Sequence, residues 1–377
     1  MKKRHILHVV GRMHRGGIET WLMDLIRRMD RERYRNSILV HTNQRQDYDD
    51  ELESLGCRLF RAGAPKRSVH YPEALARAIQ AAGPVDIIHS HEHQFSGVIL
   101  WVARRLGVPV RIAHCHNDTS MTDRLPNLPR AAYASLMRQA IRRNFTLGLA
   151  CSEKAAPSMF GAEWRRDQRI GVLHCGLDFD RFEVSVDRQE IRSRLGIPLD
   201  RWVIGHVGRL EPQKNHRFML EIAAALRARA SNCHFLFVGD GSLRAALEAE
   251  MRDLQLEHMV TLLHARNDIP EILRGAMDCF LFPSLHEGLP LALVEAQAAG
   301  LPCLFSSSIT AEANVFPGDN RVMDLERPAA QWVWSLLELR RAAHPMPASA
   351  RLPALKRTSL AIDQNVRRLE DVYGSVH

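Results

Sequence analysis

The sequence predicts two α/β domains in tandem, each built on a parallel β-sheet, and three observations lead to this fold class. Short apolar, β-branched runs alternate with longer amphipathic stretches, which is typical of parallel strands joined by right-handed helical crossovers. The alternation restarts near residue 200. The 377 residues are enough for two hydrophobic cores, and 46% hydrophobic with 25% charged residues is an ordinary globular composition.

The apolar runs predict the strands, and the amphipathic stretches between them predict the helices. In the first half, strands are expected at 5–10, 36–41, 85–90, 110–115, 147–151 and 169–174. In the second half, strands are expected at 202–207, 234–238, 259–263, 279–282 and 301–305. Helices are expected at 19–29, 72–82, 97–106, 217–229, 242–254 and 290–299. The polar stretch 178–187 predicts a linker between the two domains.

Several classes of protein are disfavoured by composition alone. No apolar run reaches the roughly 18 residues that a membrane helix needs. The apolar part of the first ten residues is too short for a secretory signal and suits a first buried strand better. The seven cysteines are odd in number and form no C-x-x-C pair, which favours reduced thiols in the cytoplasm.

The formal charge of +8 is compatible with nucleic acid, anionic lipid or phosphorylated substrates as partners. A simple solvated surface rich in arginine is an equally good explanation of the charge alone. Binding to single-stranded nucleic acid would need aromatic residues interleaved with arginines. Aromatic residues make up only 6% of the chain and do not cluster with arginine, so nucleic acid is disfavoured.

Ligands of open α/β sheets bind beyond the carboxyl ends of the strands. In the second half, Arg209 and Lys214 follow a predicted strand within one loop. Such a pair can bind a diphosphate without a metal ion, the arginine as a fork and the lysine as a point charge. Since exposed Arg/Lys pairs are common, this signal is weak by itself. The Gly239-Asp240-Gly241 segment after the next strand is, taken alone, a turn before a helix.

The strongest segment is Phe282 to Ala296, which holds two carboxylates in very apolar surroundings. Pro290 suits the first position of a helix, which places Glu287 in the preceding loop and Glu295 in the second turn. Two acids in so apolar a segment need cations or hydroxyls as partners, and sugar hydroxyls meet that need. The backbone N–H groups of Gly288 and Leu289 could in addition face an anion.

Two kinds of candidate stand in the first half. Gly16-Gly17 precedes a helix and allows backbone N–H groups to approach an anion, although a turn without a ligand has the same pattern. Histidines alternate after two strands, at His89, His91 and His93 and at His114 and His116. Alternation places them on one face, so a metal site is conceivable, but Cys115 would point to the other face and no carboxylate accompanies them. Polar strand-end histidines, or histidines that line a ligand cleft, are the favoured interpretation.

Together these motifs resemble the family 4 retaining glycosyltransferases of the GT-B fold, and most closely bacterial exopolysaccharide and capsule enzymes. The resemblance runs from about residue 5 to 310, and the order and spacing of the motifs make it specific. It is carried by Gly16-Gly17-Ile18-Glu19-Thr20, His89-Ser90-His91, Arg111 to Asn117, Gly208-Arg209 with Lys214-Asn215, Val238 to Gly241, and the Glu-x7-Glu segment Glu287 to Glu295.

The resemblance implies two Rossmann-like domains whose parallel sheets face an interdomain cleft. It implies an acceptor-binding domain at 1–185, a domain for the nucleotide-sugar at 186–355, and a terminal helix within 356–377 that packs back on the first domain. Beyond residue 310 the matching weakens. The activity implied is that of a cytoplasmic hexosyltransferase that moves a sugar from a UDP-sugar, with GDP left open, to a glycan or polyprenyl-linked acceptor. No cofactor and no metal ion are expected, because Arg209 and Lys214 can supply the positive charge that the leaving diphosphate needs.

The family pattern also implies a role for each motif. Arg209 and Lys214 would neutralise the diphosphate, Glu287 would hold the sugar hydroxyls and Glu295 the ribose. His116, or else His114, would lie near the transferred sugar. Further donor contacts are expected from Gly16, Gly17, Gly239, Arg266, Gly288 and Leu289, and acceptor contacts from His91 and His114.

Residues 121–146 carry five arginines around apolar residues, which suits an anionic membrane surface with a lipid-linked acceptor or, equally, a solvated helix face. The arginines are Arg124, Arg130, Arg138, Arg142 and Arg143, and the apolar residues are Leu136, Met137 and Ile141. Three other functions remain as alternatives: a sugar-nucleotide epimerase of the same fold, a non-enzymatic basic binding protein, and a zinc hydrolase built on the histidines.

Overall fold

The computed structural model describes residues 3–119, 128–230, 232–342 and 348–375. The chain folds into two compact units. The first unit consists of residues Met1–Asp178 together with Thr358–His377, and the second consists of Phe179–Arg357. Each unit holds one parallel sheet with its own buried core.

The sheet of the first unit has seven strands in the order β3-β2-β1-β4-β5-β6-β7, and every pair is parallel. The order reverses between β1 and β4, which is the point where open α/β sheets bind ligands. The strands are β1 (Arg4–Val10), β2 (Tyr34–Val40), β3 (Arg58–Arg61), β4 (Ile87–Ser90), β5 (Val110–Cys115), β6 (Leu147–Ala150) and β7 (Ile170–Val172).

Helices cover this sheet and bury their apolar faces against it. They are α1 (Gly17–Arg28), α2 (Asp49–Ser54), α3 (Tyr71–Ala81), α4 (Ser96–Arg105), α5 (Leu128–Asn144) and α6 (Ala156–Phe160). The end of the chain also belongs to this unit, because its last helix, Ile362–Ser375, packs on α1. A buried hydrogen bond of 2.7 Å joins them, donated by Trp21 Nε1 to Asn365 Oδ1.

The second unit holds six parallel strands in the order β10-β9-β8-β11-β12-β13. They are β8 (Trp202–Val207), β9 (Cys233–Val238), β10 (Val260–Leu263), β11 (Cys279–Phe282), β12 (Cys303–Ser306) and β13 (Arg321–Met323). The helices are α7 (Arg188–Arg194), α8 (His216–Arg227), α9 (Arg244–Asp253), α10 (Ile269–Gly275), α11 (Leu291–Ala298), α12 (Ala329–Ala342) and α13 (Ala348–Leu355), and the last helix of the first unit is then α14.

The predicted strands and helices are present, with ends shifted by at most two residues. Two strands, β3 and β13, were not predicted. Both are short edge strands that begin with arginine, and charged residues on edge strands weaken the apolar signal. The boundary between the two units falls within the stretch predicted as a linker. This stretch also contains a 3₁₀ turn over Phe179–Phe182, whose two phenylalanines are buried in the second unit. No helix among the described residues is long and apolar enough to cross a membrane.

Candidate functional site

The second unit brings Lys214 and Glu287 together from two loops. Lys214 lies between β8 and α8, and Glu287 lies between β11 and α11, and these two strands are neighbours in the sheet. Lys214 Nζ donates to Glu287 Oε1 at 2.6 Å, and the side chains are only 15% and 9% exposed. A pair so well shielded from water is stronger than a surface ion pair, since little solvent screens it.

Gln213, which the sequence analysis did not single out, completes this arrangement. Its Nε2 donates to Glu287 Oε2 at 3.2 Å and to the His286 carbonyl at 2.7 Å. Both carboxylate oxygens of Glu287 are therefore fixed in direction by neighbours on the β8 loop. Gln213 could have been noticed only as the neighbour of Lys214, because a glutamine in a loop has no distinctive pattern.

Arg209 also follows β8, but unlike Lys214 it is not paired with an acid. Its side chain is exposed, and it makes no hydrogen bond or ion pair with the residues that the structure describes. A guanidinium that is not neutralised by a carboxylate keeps its full charge for an anionic ligand. The carboxyl edge of the second sheet thus holds one unpaired cation together with one cation paired to a buried acid.

Gly239 is required by a close backbone approach between the loops after β8 and β9. Its φ is +153°, and a Cβ at this position would lie 2.0 Å from the Gly208 carbonyl oxygen. The Gly208 N–H in turn donates to the Val238 carbonyl at 3.0 Å. Gly239 therefore allows the loop that carries Arg209 to lie against the β9 loop.

We expect Gly239→Ala to lower the free energy of unfolding by about 2–3 kcal/mol, because the backbone must move and the new residue is strained. Urea denaturation measures this change. Gly318→Ala is the matched control in the same unit, since a Cβ there would have nothing within 4 Å. Equal unfolding midpoints for the two variants would contradict the close approach of the loops.

Asp240 and Arg266, at the ends of β9 and β10, are held by local contacts. Burial alone would raise the pKa of Asp240, but hydrogen bonds from the Ala265 N–H and His264, each at 2.7 Å, hold this pKa below its usual range. Arg266 forms a two-pronged ion pair with Asp268, with both distances 2.7 Å. Arg266 is thus not free in this structure, and a nucleotide would have to share it with Asp268.

The segment after β11 is arranged nearly as predicted. Pro290 caps α11 with extended backbone rather than occupying its first turn, because the helix begins at Leu291. Glu295 is half-buried within α11, and Leu289 is buried in the preceding loop. The Leu289 N–H makes no hydrogen bond with any residue that the structure describes, so it remains available to a ligand. The Gly288 N–H also lies in this loop.

In the first unit, Gly16 and Gly17 lie at the start of α1, where an anion was expected. The Glu19 carboxylate already lies against this turn: a Cβ on Gly16 would be 2.4 Å from Glu19 Oε2. An acid at a helix N-terminus stabilises the helix dipole itself. An anionic ligand at these two glycines would therefore compete with Glu19.

Four buried histidines and the partly buried His116 form one row across the centre of the first sheet. His8 of β1 pairs in register with His89 of β4, and His91 follows β4. His114 is on β5 and His116 directly follows it. Ring centroids of neighbouring members lie 4.0–5.7 Å apart. Alternation thus brings four of the five predicted histidines together and adds His8, whose only signal was a polar residue within an apolar strand. His93 is the exception, because the chain turns into a 3₁₀ helix after β4 and its ring contacts the Asn117 carbonyl and Ser158 instead.

The surroundings keep this histidine row neutral. Burial lowers the pKa of His8 to about 4 and that of His114 to about 3. Burial, and then the neighbouring imidazoles, lower the pKa of His89, His91 and His116 well below the ordinary value. Cys115 points to the opposite face, where its Sγ contacts Ala155 and Ser158. Trp21 packs against three of the histidines, in edge contacts with His91 and His114 and a tilted contact with His116.

Two sets of three histidines are close enough to hold a metal ion, with ligand atoms within 4.8 Å of one another. The sets are His8, His89 and His91, and His91, His114 and His116. Within the row, however, the ring nitrogens already bond to each other at 2.8–3.2 Å. Neither set includes a carboxylate, so a divalent ion here would rest on imidazoles alone.

A cavity of about 400 Å³ lies beside the row, at the carboxyl ends of β1, β2 and β4. Glu92 is nearly buried there and forms an ion pair with Lys66. His41 Nε2 lies 3.8 Å from Glu92 Oε2 and is buried, with no hydrogen bond to any residue in the described part of the chain. Burial lowers the pKa of Lys66 to about 8, and burial followed by the Lys66 charge lowers that of His41 to about 3. Sequence analysis missed this group, because its members come from three separate loops.

Comparison with known proteins defines the class to which this site belongs. A family model described as glycosyl transferases group 1 matches residues 187–322, and a glycosyl transferase 4-like domain matches residues 16–176. The chain is 35% identical over 379 residues to the putative glycosyltransferase EpsF of Bacillus subtilis, covering 98% of this chain and 96% of the relative. The chain is therefore an enzyme of the glycosyltransferase class, and it belongs to the family 4 glycosyltransferases.

Two further comparisons concern a curated enzyme and a solved structure. The chain is 32% identical over 228 residues to the Escherichia coli UDP-Gal:alpha-D-GlcNAc-diphosphoundecaprenol alpha-1,3-galactosyltransferase, covering 59% of this chain and 58% of that enzyme. The Anabaena Alr3699/HepE structure in complex with UDP and glucose superposes with a TM-score of 0.81 at 20% identity, covering 98% and 99% of the two chains. The predicted GT-B fold is thereby confirmed.

Proposed function

We propose that this glycosyltransferase moves a sugar from a UDP-sugar to a glycan or polyprenyl-diphosphate-linked acceptor during exopolysaccharide, capsule or lipopolysaccharide assembly. The observation that carries the proposal is the shielded Lys214–Glu287 pair beside the unpaired Arg209. This arrangement offers positive charge to a diphosphate and a fixed carboxylate to sugar hydroxyls. The EpsF relative, the galactosyltransferase that acts with UDP-Gal, and the UDP complex of HepE support the choice of donor and pathway.

The chemistry follows from how charge develops during the transfer. As the glycosidic bond to the diphosphate breaks, negative charge grows on the leaving group and positive charge on the sugar. Arg209 and Lys214 stabilise the leaving diphosphate, assisted by the Leu289 N–H, so the reaction does not depend on Mg²⁺. Glu287 orients the sugar through its hydroxyls, and Glu295 holds the ribose. Gly239, Arg266 and Gly288 complete the donor contacts that we propose, together with Gly16 and Gly17.

We further propose retention of the anomeric configuration. Glu287 is engaged on both oxygens by Lys214 and Gln213, which makes it a poor covalent nucleophile. The acceptor hydroxyl would then attack on the face from which the phosphate departs. On this route His116, with His114 as the alternative, is a neutral side chain that lies near the transferred sugar.

The first unit provides the acceptor site in this proposal. The cavity that holds Lys66, Glu92 and His41 is lined by His91, one of the expected acceptor residues. At about 400 Å³ it can receive a sugar ring. A buried carboxylate, an ammonium group and an imidazole nitrogen without a hydrogen bond together offer donors and acceptors for hydroxyl groups.

A hydrolysis screen of UDP- and GDP-sugars without acceptor tests the donor and the metal-free mechanism. We expect turnover of a UDP-sugar that EDTA does not reduce, and a product whose first-formed anomer retains the donor configuration by NMR. Turnover that requires a divalent ion would contradict the mechanism, and turnover of GDP-sugars alone would contradict the choice of nucleotide.

Arg209→Ala is expected to weaken UDP binding by about 10-fold or more, because a charge-assisted hydrogen bond to phosphate contributes roughly 1.5–3 kcal/mol. Isothermal titration with UDP measures the change. Arg252→Ala is the control, since Arg252 is an exposed arginine on α9 of the same unit. Equal affinities for the two variants would exclude Arg209 as a phosphate ligand.

We propose that α4 and α5 contact an anionic membrane surface. The two helices pack together and expose Trp101, Tyr133 and Leu136. Arginines surround them: Arg104 and Arg105 on α4, and Arg130, Arg138, Arg142 and Arg143 on α5. Met137 and Ile141, which the sequence analysis placed on this surface, are instead buried in the unit, and Arg124 lies outside the described residues. Cytoplasmic location is part of the proposal, and its support is that all seven cysteines are free and buried.

Sedimentation with phosphatidylglycerol vesicles tests the membrane contact. We expect Trp101→Ala with Leu136→Asp to reduce the bound fraction several-fold, because an aromatic anchor is lost and a charge is added. Val69→Asp is the control, since Val69 is exposed but lies outside both helices. Binding of the native protein that stays at the level of uncharged vesicles would remove the membrane proposal.

A further inference from the structure

We propose that Asn36, through His8 and His91, fixes His116 as the neutral tautomer that carries its proton on Nε2. Asn36 lies on β2 and touches His8, so it acts on His116 only through other residues. It is therefore a positioning residue. The role of His116 as a site residue rests on the proposed function. Its tautomer does not, because the tautomer can be measured without donor or acceptor.

A single chain of hydrogen bonds runs from Cys175 through three histidines to Asn36. Cys175 Sγ lies 3.4 Å from His116 Nδ1, and His116 Nε2 lies 2.8 Å from His91 Nδ1. His91 Nε2 lies 3.2 Å from His8 Nδ1, and His8 Nε2 lies 3.3 Å from Asn36 Oδ1. A neutral imidazole has one donor and one acceptor nitrogen. All bonds of the chain must therefore point in the same direction, which is set by the end group that can play only one role.

Met29 fixes the orientation of the Asn36 side-chain amide at its end of the chain. Asn36 Nδ2 lies 3.8 Å from Met29 Sδ, and a thioether sulfur can accept a hydrogen bond but cannot donate one. The amide nitrogen therefore faces the sulfur, and the amide oxygen faces His8. This oxygen accepts the proton of His8 Nε2, so His8 Nδ1 accepts from His91 Nε2, and His91 Nδ1 accepts from His116 Nε2.

The Cys175 end is compatible with this direction but does not set it, because a thiol can either donate or accept a hydrogen bond. Cys175 is buried, and burial raises its pKa far above the ordinary value, so it carries an S–H. The thiol donates to His116 Nδ1, which is the nitrogen without a proton in the tautomer set from Asn36. Both ring nitrogens of His116 are therefore engaged. The side chain that follows β5 is accordingly a neutral, oriented ring rather than a free base or a cation.

The other two histidines of the row form a separate chain that supplies a control. Tyr373 Oη lies 2.7 Å from His89 Nδ1, and His89 Nε2 lies 3.1 Å from His114 Nδ1. No member of the Asn36 chain takes part in these bonds. Tyr373→Phe thus removes one buried hydrogen bond next to the row while leaving the His116 tautomer unchanged.

Long-range ¹H–¹⁵N NMR of protein labelled with ¹⁵N-histidine reads each tautomer directly. We expect His8, His91 and His116 to carry their protons on Nε2 in the native protein, in Cys175→Ser, whose hydroxyl also donates, and in Tyr373→Phe. Asn36→Leu has a similar size but no acceptor, so we expect the signals of His8 and His116 to move toward the Nδ1–H form.

Two results would overturn the inference: a proton on Nδ1 of His116 in the native protein, or an Asn36→Leu spectrum identical to the native one. The spectra of the native protein and of Cys175→Ser test the tautomer assignment even if Asn36→Leu does not fold. Loss of UDP-sugar turnover with an intact Nε2–H pattern would contradict the proposed function of His116 and leave the tautomer assignment standing.

Discussion

Replacement of Glu287 by glutamine is expected to lower kcat by roughly 10²-fold, about 2.7 kcal/mol, while the KM for the donor changes little. The side chain keeps its size but loses the charge that strengthens its bonds to sugar hydroxyls as positive charge develops on the ring. Lys214 remains in place and can still meet the diphosphate, which is why binding should persist. Steady-state kinetics with the donor found in the hydrolysis screen gives both constants.

Lys214→Met is the complementary variant, because it removes the cation and leaves the acid. Here we expect the KM for the donor to rise, since the diphosphate loses a counter-charge and Glu287 loses its partner. Thermal denaturation of both variants separates loss of function from loss of fold. Full kcat in Glu287→Gln with an assigned donor would show that its proposed role is wrong.

Acid is expected to unfold the first unit well above the pH at which its carboxylates titrate. The five histidines of the row are neutral in the folded protein because burial lowers each pKa below its ordinary value. A group whose folded pKa is lowered in this way binds its proton only on unfolding, so stability falls as the pH drops below about 6.5. For His8 alone, with a folded pKa of about 4, the loss at pH 5 is about 2 kcal/mol.

The dependence of unfolding free energy on pH tests this directly. Urea denaturation between pH 7 and 5 should give a steep slope near pH 5.5, equivalent to the uptake of roughly four or more protons on unfolding. Fluorescence of Trp21, which contacts three histidines of the row, should follow the same transition. A flat profile over this range would mean that the histidines are not held neutral by the fold.

Much of the fold was predictable because the buried strands are continuous apolar runs that stand out from the helices between them. The exceptions are informative. β3 and β13 are edge strands with charged residues, so a local apolar signal is absent. Phe179 and Phe182 were hidden within a polar stretch, although tertiary packing buries them.

The site was predictable where a residue type carries its own chemistry at the end of a strand. Glu287, Lys214 and Arg209 follow strands of one sheet, and the structure pairs the first two of them. The partners of such residues were not predictable. Gln213, Glu92 and Cys175 owe their importance to contacts between loops distant in sequence, and neither spacing nor composition records such contacts.

The central claim is that the loops after β8 and β11 hold a nucleotide diphosphate, and hydrogen–deuterium exchange with and without UDP tests it most directly. We expect UDP to slow exchange in peptides that cover residues 205–216 and 282–297, and Arg209→Ala to reduce this protection. Unchanged exchange in both segments at a saturating UDP concentration, or protection confined to other parts of the chain, would contradict the claim.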